Sequence, residues 1–173
     1  RQGTDTSYYK SGCIQAIQSY QIGVEQGATY IYYDSTNRVQ FEIWYQNGKL
    51  HGPSIQLNAN APADTLMYKH YKNGILDGPQ RSYFPNGKVR KLSNYKDGFS
   101  DGPQITYNNN GQKESELFFK AGKKQGIWKY YFDSGKVART ENWKDGKKNG
   151  EFITYNELGQ VMQTEKFALD LPV

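Results

Sequence analysis

One cysteine, Cys13, and two histidines, His51 and His70, are all the soft-ligand chemistry in 173 residues. No disulfide can form within the chain, and too few ligands remain for a structural zinc site. Long hydrophobic runs are missing too. Nothing approaches the roughly 18 consecutive apolar residues of a membrane-spanning helix, so no transmembrane segment is expected. No segment sustains a 3.6-residue apolar period, which excludes all but a trace of helix. Only 36 % of residues are hydrophobic, a level that by itself points to disorder. What is present argues the other way. Fifteen Tyr, eight Phe and three Trp supply bulk that an unfolded chain has no use for, and 18 glycines accompany them.

The net charge of +5 is unevenly spread. Residues 1–66 hold four Lys/Arg against five Asp/Glu, hence −1, and residues 67–173 hold eighteen against twelve, hence +6. The asymmetry suits an acidic partner for the C-terminal part; a solubilising surface is the plainer alternative.

Self-similarity organises the rest. Tyr71-Lys-Asn-Gly74, Tyr95-Lys-Asp-Gly98, Phe119-Lys-Ala-Gly122 and Trp143-Lys-Asp-Gly146 recur at a period of 24 residues. Gly48 and Gly23 extend the series backwards, and each of the six glycines is followed four residues later by another, at Gly27, Gly52, Gly78, Gly102, Gly126 and Gly150. A third slot holds Gly87, Gly111, Gly135 and Gly159, and Gly3 and Gly12 complete the set. Residues 1–173 thus read as a single repeat domain of seven units, starting near Gly3, Gly27, Gly52, Gly78, Gly102, Gly126 and Gly150.

Between the glycines lie short segments rich in Tyr, Val, Ile, Thr and Trp, the pattern of consecutive β-hairpins. Asn-Gly pairs at Asn47, Asn73, Asn86 and Asn110 supply the positive φ of tight turns. Pro53, Pro79 and Pro103 follow the second glycine, where a lost N–H is tolerable. The fold class is therefore all-β: an elongated, single-layer antiparallel β-meander of about seven hairpin repeats, with about 14 strands. Two units depart from the pattern, at Asp34-Ser-Thr-Asn37 and at Asn58–Asp64, and read as loops grafted on one edge.

The aromatics fall in rows. Tyr20, Tyr45, Tyr71, Tyr95, Phe119, Trp143 and Phe167 form one; Tyr8, Tyr32, Tyr83, Tyr107, Tyr131 and Tyr155 form another. Residues that recur in every unit are packing residues. Trp128, Tyr130, Phe132 and Phe152, with Trp44 and Phe118 in a further slot, stand outside the rows. Period-two alternation puts Trp128 and Tyr130 opposite Tyr131, on the face away from that row. They form either a second, smaller core sheathed by Lys stems or an aromatic contact surface. Beside them, the turns Lys120-Ala-Gly-Lys-Lys124 and Lys144-Asp-Gly-Lys-Lys148 stack six lysines against a single acid, Asp145. Lys120, Lys123, Lys124, Lys144, Lys147 and Lys148, with Trp128, Tyr130 and Phe152 as apolar anchors, are the candidate partner-binding residues. The irregular loops are the alternative location.

Catalytic chemistry finds no footing. His51 occupies a turn slot filled elsewhere by Gln26, Asp77, Asp101, Gln125 and Asn149, the company of a polar turn residue. The acidic pairs Glu114/Glu116 and Asp97/Asp101 read as solubilising charges, and the glycines precede no helix that would make a phosphate loop. No catalytic, metal or cofactor site is expected, and the chain is read as a non-enzyme. Lys and Arg are mixed with 17 acids and no reader motif occurs, so no nucleic-acid partner is expected either.

At Tyr71-Lys-Asn-Gly74, Gly78 and Tyr83-Phe-Pro-Asn-Gly87-Lys88 the sequence resembles the bacterial variant of the MORN repeat, which typifies YwqK-type antitoxin components of toxin–antitoxin pairs. The resemblance runs from Gly3 to Phe167. It implies an elongated single-layer β-scaffold that binds partners, with membrane-lipid binding also proposed for such repeats, and the antitoxin label implies a cognate toxin. The expected function is a protein-binding scaffold, either antitoxin-like or an accessory subunit, whose partner is another protein with an acidic surface. A surface or envelope module binding glycan through exposed Trp and Tyr beside Asn108, Asn109 and Asn110 is the alternative, ahead of lipid or nucleic acid. The first residue, Arg1, favours an exported, envelope location over the cytoplasm. Nothing in the sequence sets an oligomeric state.

Overall fold

A computed structural model describes residues 2–60 and 65–173. Part of the grafted loop expected at Asn58–Asp64, residues 61–64, lies outside the described residues. The chain divides into two compact units, Arg1–Gly87 and Lys88–Val173.

The first unit holds β1 (Gly3–Tyr8), β2 (Ile14–Gln21), β3 (Val24–Glu25), β4 (Gly27–Tyr32), β5 (Val39–Gln46), β6 (Lys49–Leu57), β7 (Thr65–Lys72), β8 (Ile75–Leu76) and β9 (Gly78–Tyr83). The second holds β10 (Val89–Lys96), β11 (Phe99–Ser100), β12 (Gly102–Tyr107), β13 (Lys113–Lys120), β14 (Lys123–Lys124), β15 (Gly126–Tyr131), β16 (Val137–Lys144), β17 (Lys147–Tyr155), β18 (Val161–Ala168) and β19 (Leu171–Pro172). Within each unit the pairings are antiparallel and join strands next to each other in the chain, as in β1–β2 and β12–β13, or strands separated by one two-residue strand, as in β7–β9 and β13–β15. The all-β hairpin meander is as expected. Among the described residues the count is 19 rather than about 14, because the second strand of four hairpins is interrupted two residues after the turn and Leu171–Pro172 adds a short last strand.

Three glycine positions explain this geometry. The first closes a two-residue turn whose central residues are both left-handed, as in Asn47 (φ 51°) with Gly48 (72°) and Asp145 (52°) with Gly146 (87°). That turn matches the twist of the flanking strands, and Asn, Asp and Gly adopt it at least cost. The second glycine, with φ of 69–106° from Gly27 to Gly150, follows the interruption. There two residues, such as Gln125-Gly126, are inserted without cross-strand partners in register; Gln125 N–H donates back to Phe118 O at 3.0 Å. The third closes a wider turn, where Gly111 N–H donates to Asn108 O at 2.9 Å and the register shifts by one residue.

The first aromatic row has a specific cross-strand partner, the second glycine. Gly3 faces Tyr20, Gly27 faces Tyr45, Gly52 faces Tyr71, Gly102 faces Phe119, Gly126 faces Trp143 and Gly150 faces Phe167. A ring laid across a residue with no side chain covers backbone that would otherwise be wet.

Successive repeats are joined at their turns. Gly48 N–H donates to Glu25 O at 2.9 Å, Gly74 to Leu50 O at 2.7 Å, Gly122 to Ser100 O at 2.8 Å and Gly146 to Lys124 O at 2.9 Å. The polar slot before the second glycine reinforces the joint. Gln26 Oε1 accepts from Asn47 N–H at 2.9 Å, Asp101 Oδ2 from Ala121 N–H at 3.0 Å and Gln125 Oε1 from Asp145 N–H at 2.7 Å. The slot that His51 shares is thus a turn-bracing position.

Candidate functional site

In the second unit the registers sort every side chain onto one of two faces. The insertion at Gln125-Gly126 adds two residues, so the inward–outward alternation survives it. Phe119, Lys124, Trp128 and Tyr130 therefore share a face, and so do their partners Arg139, Glu141 and Trp143. Glu141 in turn opposes Phe152, and Gly150 opposes Phe167.

These residues build an aromatic ladder. Ring centroids step from Phe119 to Trp128 at 5.1 Å, to Trp143 at 5.6 Å, to Phe152 at 5.4 Å and to Phe167 at 5.1 Å. All four contacts are tilted or edge-on, the orientations that ring quadrupoles favour. Trp128 and Phe152 are 4 % and 6 % exposed, the buried hydrophobic side chains among the described residues. The expectation of apolar anchors supposes exposed rings, and these two are packed within the ladder. They share a face with the first aromatic row, not a free one, and their surface is used up on each other's neighbours. The reading as a second core sheathed by Lys stems is what the structure holds.

Two of the six lysines form that sheath. Lys124 Nζ lies 3.9 Å from the Trp143 ring centre and 4.5 Å from that of Trp128; Lys148 Nζ lies 4.4 Å from Phe167 and 5.3 Å from Phe152. An ammonium over an electron-rich ring is attracted to it while its stem covers apolar surface. Beneath them Glu141, 4 % exposed, takes Trp143 Nε1–H at 2.9 Å and pairs with Arg139, whose guanidinium stands 5.7 Å from the Tyr130 ring. Burial raises the Tyr130 phenol, with Glu141 adding to the effect. A shallow hollow of about 230 Å³ on this face is lined by Arg139, Lys148, Phe152, Thr154, Gln163 and Glu165. Its charges of both signs select no ion.

The other four lysines point the opposite way. Lys120 faces Lys123 directly across one two-residue turn, and Lys144 faces Lys147 across the next. Strand alternation puts these pairs on the face away from the ladder, so the stack of six divides into four and two. The corresponding turn pairs elsewhere are Gln21/Val24, Gln46/Lys49, Lys72/Ile75, Lys96/Phe99 and Ala168/Leu171, none with two like charges. Like charges directly opposed are unfavourable. All four are exposed, and none makes an ion pair among the described residues. The edge also carries more acid than the lone Asp145, since Asp101 and Asp170 hold Ala121 N–H and Lys148 N–H. These two carboxylates are committed to backbone bonds.

Residues 76–97, 100–121 and 124–145 each match the family model of the MORN repeat variant. The three matches are consecutive along the chain. Their starts fall 24 residues apart, the period read from the glycines. No curated protein matches the chain. MORN repeats are associated with protein- and membrane-binding modules and, as a class, with non-catalytic scaffolds. The third matched repeat contains Lys124, Trp128, Trp143 and Lys144.

The remaining candidates have structural roles. His70 Nδ1 hydrogen-bonds Asp77 O at 2.7 Å, and Asn94 Nδ2 does the same for Asp101 O at 3.0 Å, each serving the carbonyl before a second-slot glycine. His51 Nδ1 is buried without a hydrogen-bond partner among the described residues. No group of three or more His, Cys, Asp or Glu among those residues is placed to hold a metal ion, and no helix is long and apolar enough to cross a membrane.

The sequence leaves the sheath as one of two alternatives, although the chain carries a further signal for it. The slot of Trp128 and Phe152 is Thr29, Ser54, Gln80 and Gln104 in other repeats, and the slot of Lys124 and Lys148 is Glu25, Leu50, Leu76 and Ser100. Aromatic and lysine enter together.

Proposed function

We propose that the protein is a non-catalytic, protein-binding repeat scaffold whose contact region is the turn edge of its last repeats, presented to an acidic surface. The observation that carries this is the pair of directly opposed lysines, Lys120/Lys123 and Lys144/Lys147. Placing like charges opposite one another opposes folding, and their exposed ammoniums gain nothing within the chain. Such a local cost is offset when a partner supplies the counter-charge. The matched repeat family supports the reading, because its members serve as binding modules. An antitoxin-like or accessory-subunit role is the narrower form, drawn from the resemblance to antitoxin components.

The test is capture of the partner from the native source with identification by mass spectrometry. Binding kinetics follow for a variant with Lys120, Lys123, Lys144 and Lys147 changed to Glu. Association should slow by at least about tenfold at low salt and lose its ionic-strength dependence. Unchanged kinetics would move the contact region elsewhere, first to the loop at Asp34–Asn37.

A further inference from the structure

The partner's local shape follows from the spacing of this edge, on the reading that the edge binds acid. Phe99, Lys123, Lys147 and Leu171 occupy the same position in four successive repeats, the residue after the turn glycine or its equivalent. Phe99 and Lys123 each lean on the next turn: a Cβ on Gly122 would meet Phe99 Cδ1 at 3.1 Å, and one on Gly146 would meet Lys123 Cβ at 3.9 Å. The row is therefore continuous. Phe99 and Leu171 are 59 % and 69 % exposed, far more than a packed side chain needs.

Successive members of the row are two strands apart, about 10 Å. An extended polypeptide in the polyproline II conformation turns once every three residues with a rise of about 3.1 Å, so every third side chain returns to the same side about 9 Å on. We infer that the edge receives an extended segment of the partner, lying across the strands, with the pattern apolar-x-x-acid-x-x-acid-x-x-apolar. Its two carboxylates meet the Lys120/Lys123 and Lys144/Lys147 pairs, and its apolar ends meet Phe99 and Leu171. A helix places residues three apart only about 4.5 Å apart along its axis and does not fit this spacing. The double lysine at each central position gives one carboxylate two donors, which repeats with Lys/Phe or Ala/Leu pairs do not offer.

The experiment uses the full chain and two fluorescein-labelled peptides of equal composition. One is Leu-Ser-Ser-Glu-Ser-Ser-Glu-Ser-Ser-Leu; the other has its two Glu adjacent at the centre. Anisotropy at low salt should show the in-register peptide binding about fivefold more tightly. In the Lys123→Glu/Lys147→Glu variant, whose fold is checked by circular dichroism, that preference should vanish. It should return for a peptide with Lys in place of both Glu in the same register. Equal binding of the two Glu peptides overturns the extended-segment inference but leaves the acidic-partner reading standing, since that reading is decided by kinetics with the captured partner. Absence of binding by both peptides overturns the inference, as does tighter binding of phosphatidylserine vesicles or duplex DNA than of the in-register peptide.

Discussion

Ile22 stands where the two-residue turn demands a left-handed backbone, with φ of 51° and its side chain 85 % exposed. A β-branched residue is ill suited to that conformation, and Asn47 and Asn73 fill the same position in later turns without the conflict. Ile22→Asn should raise stability by about 1 kcal/mol in urea titration, and Asn47→Ile should lower it by a similar amount. Glu116 is a second sensitive point. Its carboxyl pairs with Lys113 and accepts Tyr131 Oη–H at 2.5 Å, and these bonds hold it below its ordinary 4.5. That contribution is present above the ordinary value and lost as pH falls through the lowered one. Tyr131 is pushed up to about 12 from 10.0, by burial first and by the Glu116 bond second. Its neutral form is favoured, so the contribution is full below 10.0 and disappears as pH rises toward 12. Thermal denaturation against pH should therefore lose part of its acid limb in Glu116→Gln and part of its alkaline limb in Tyr131→Phe.

The ladder is the element on which the second unit's packing depends. Trp128→Ala should cost about 3–5 kcal/mol by denaturant unfolding, because it opens a gap between Phe119 and Trp143 that a sheet cannot collapse to fill. Lys124→Met keeps the stem and removes the charge, and should cost about 0.5–1 kcal/mol; a larger loss would mean that the ammonium holds more than the two rings. At Gly150 an added Cβ would meet Asn142 Nδ2 at 2.7 Å with φ at 101°, so Gly150→Ala is strained in both backbone and space. These elements were unequally legible in the sequence. The turns were readable because Asn-Gly and Asp-Gly carry their own conformational requirement. Alternation within a strand was readable too, setting Trp128 and Tyr130 opposite Tyr131; which residues of the neighbouring strand share their face was not, because that depends on how many residues the interruption at Gln125-Gly126 inserts, and composition does not give that number. Adjacent lysines, 123 and 124, were grouped as one patch although alternation separates them.

Across the molecule, the three tryptophans divide unequally between the two compact units. Trp44, 39 % exposed, lies in the first, and Trp128 and Trp143 lie in the second. Trp44→Phe should leave an emission spectrum that is blue-shifted and poorly quenched by acrylamide, since the two remaining indoles sit beneath Lys124. The 24-residue period was legible from glycine spacing, and the matches at 76–97, 100–121 and 124–145 recur at that period. The binding edge was legible only in part. Lysine clustering shows in the sequence, but the register that sets Lys120 against Lys123 comes only from the closed turn.

The turn joints have a consequence for how such a chain can change over generations. A Gly N–H on the preceding repeat's carbonyl, helped by a Gln or Asp side chain, asks almost nothing of the identity of either repeat. Copy number is then open to duplication or deletion of whole 24-residue blocks, and each new block arrives with its attachment chemistry already in place. What selection can alter independently is the decoration on each block, so a recognition surface can be lengthened, shortened or recharged one repeat at a time.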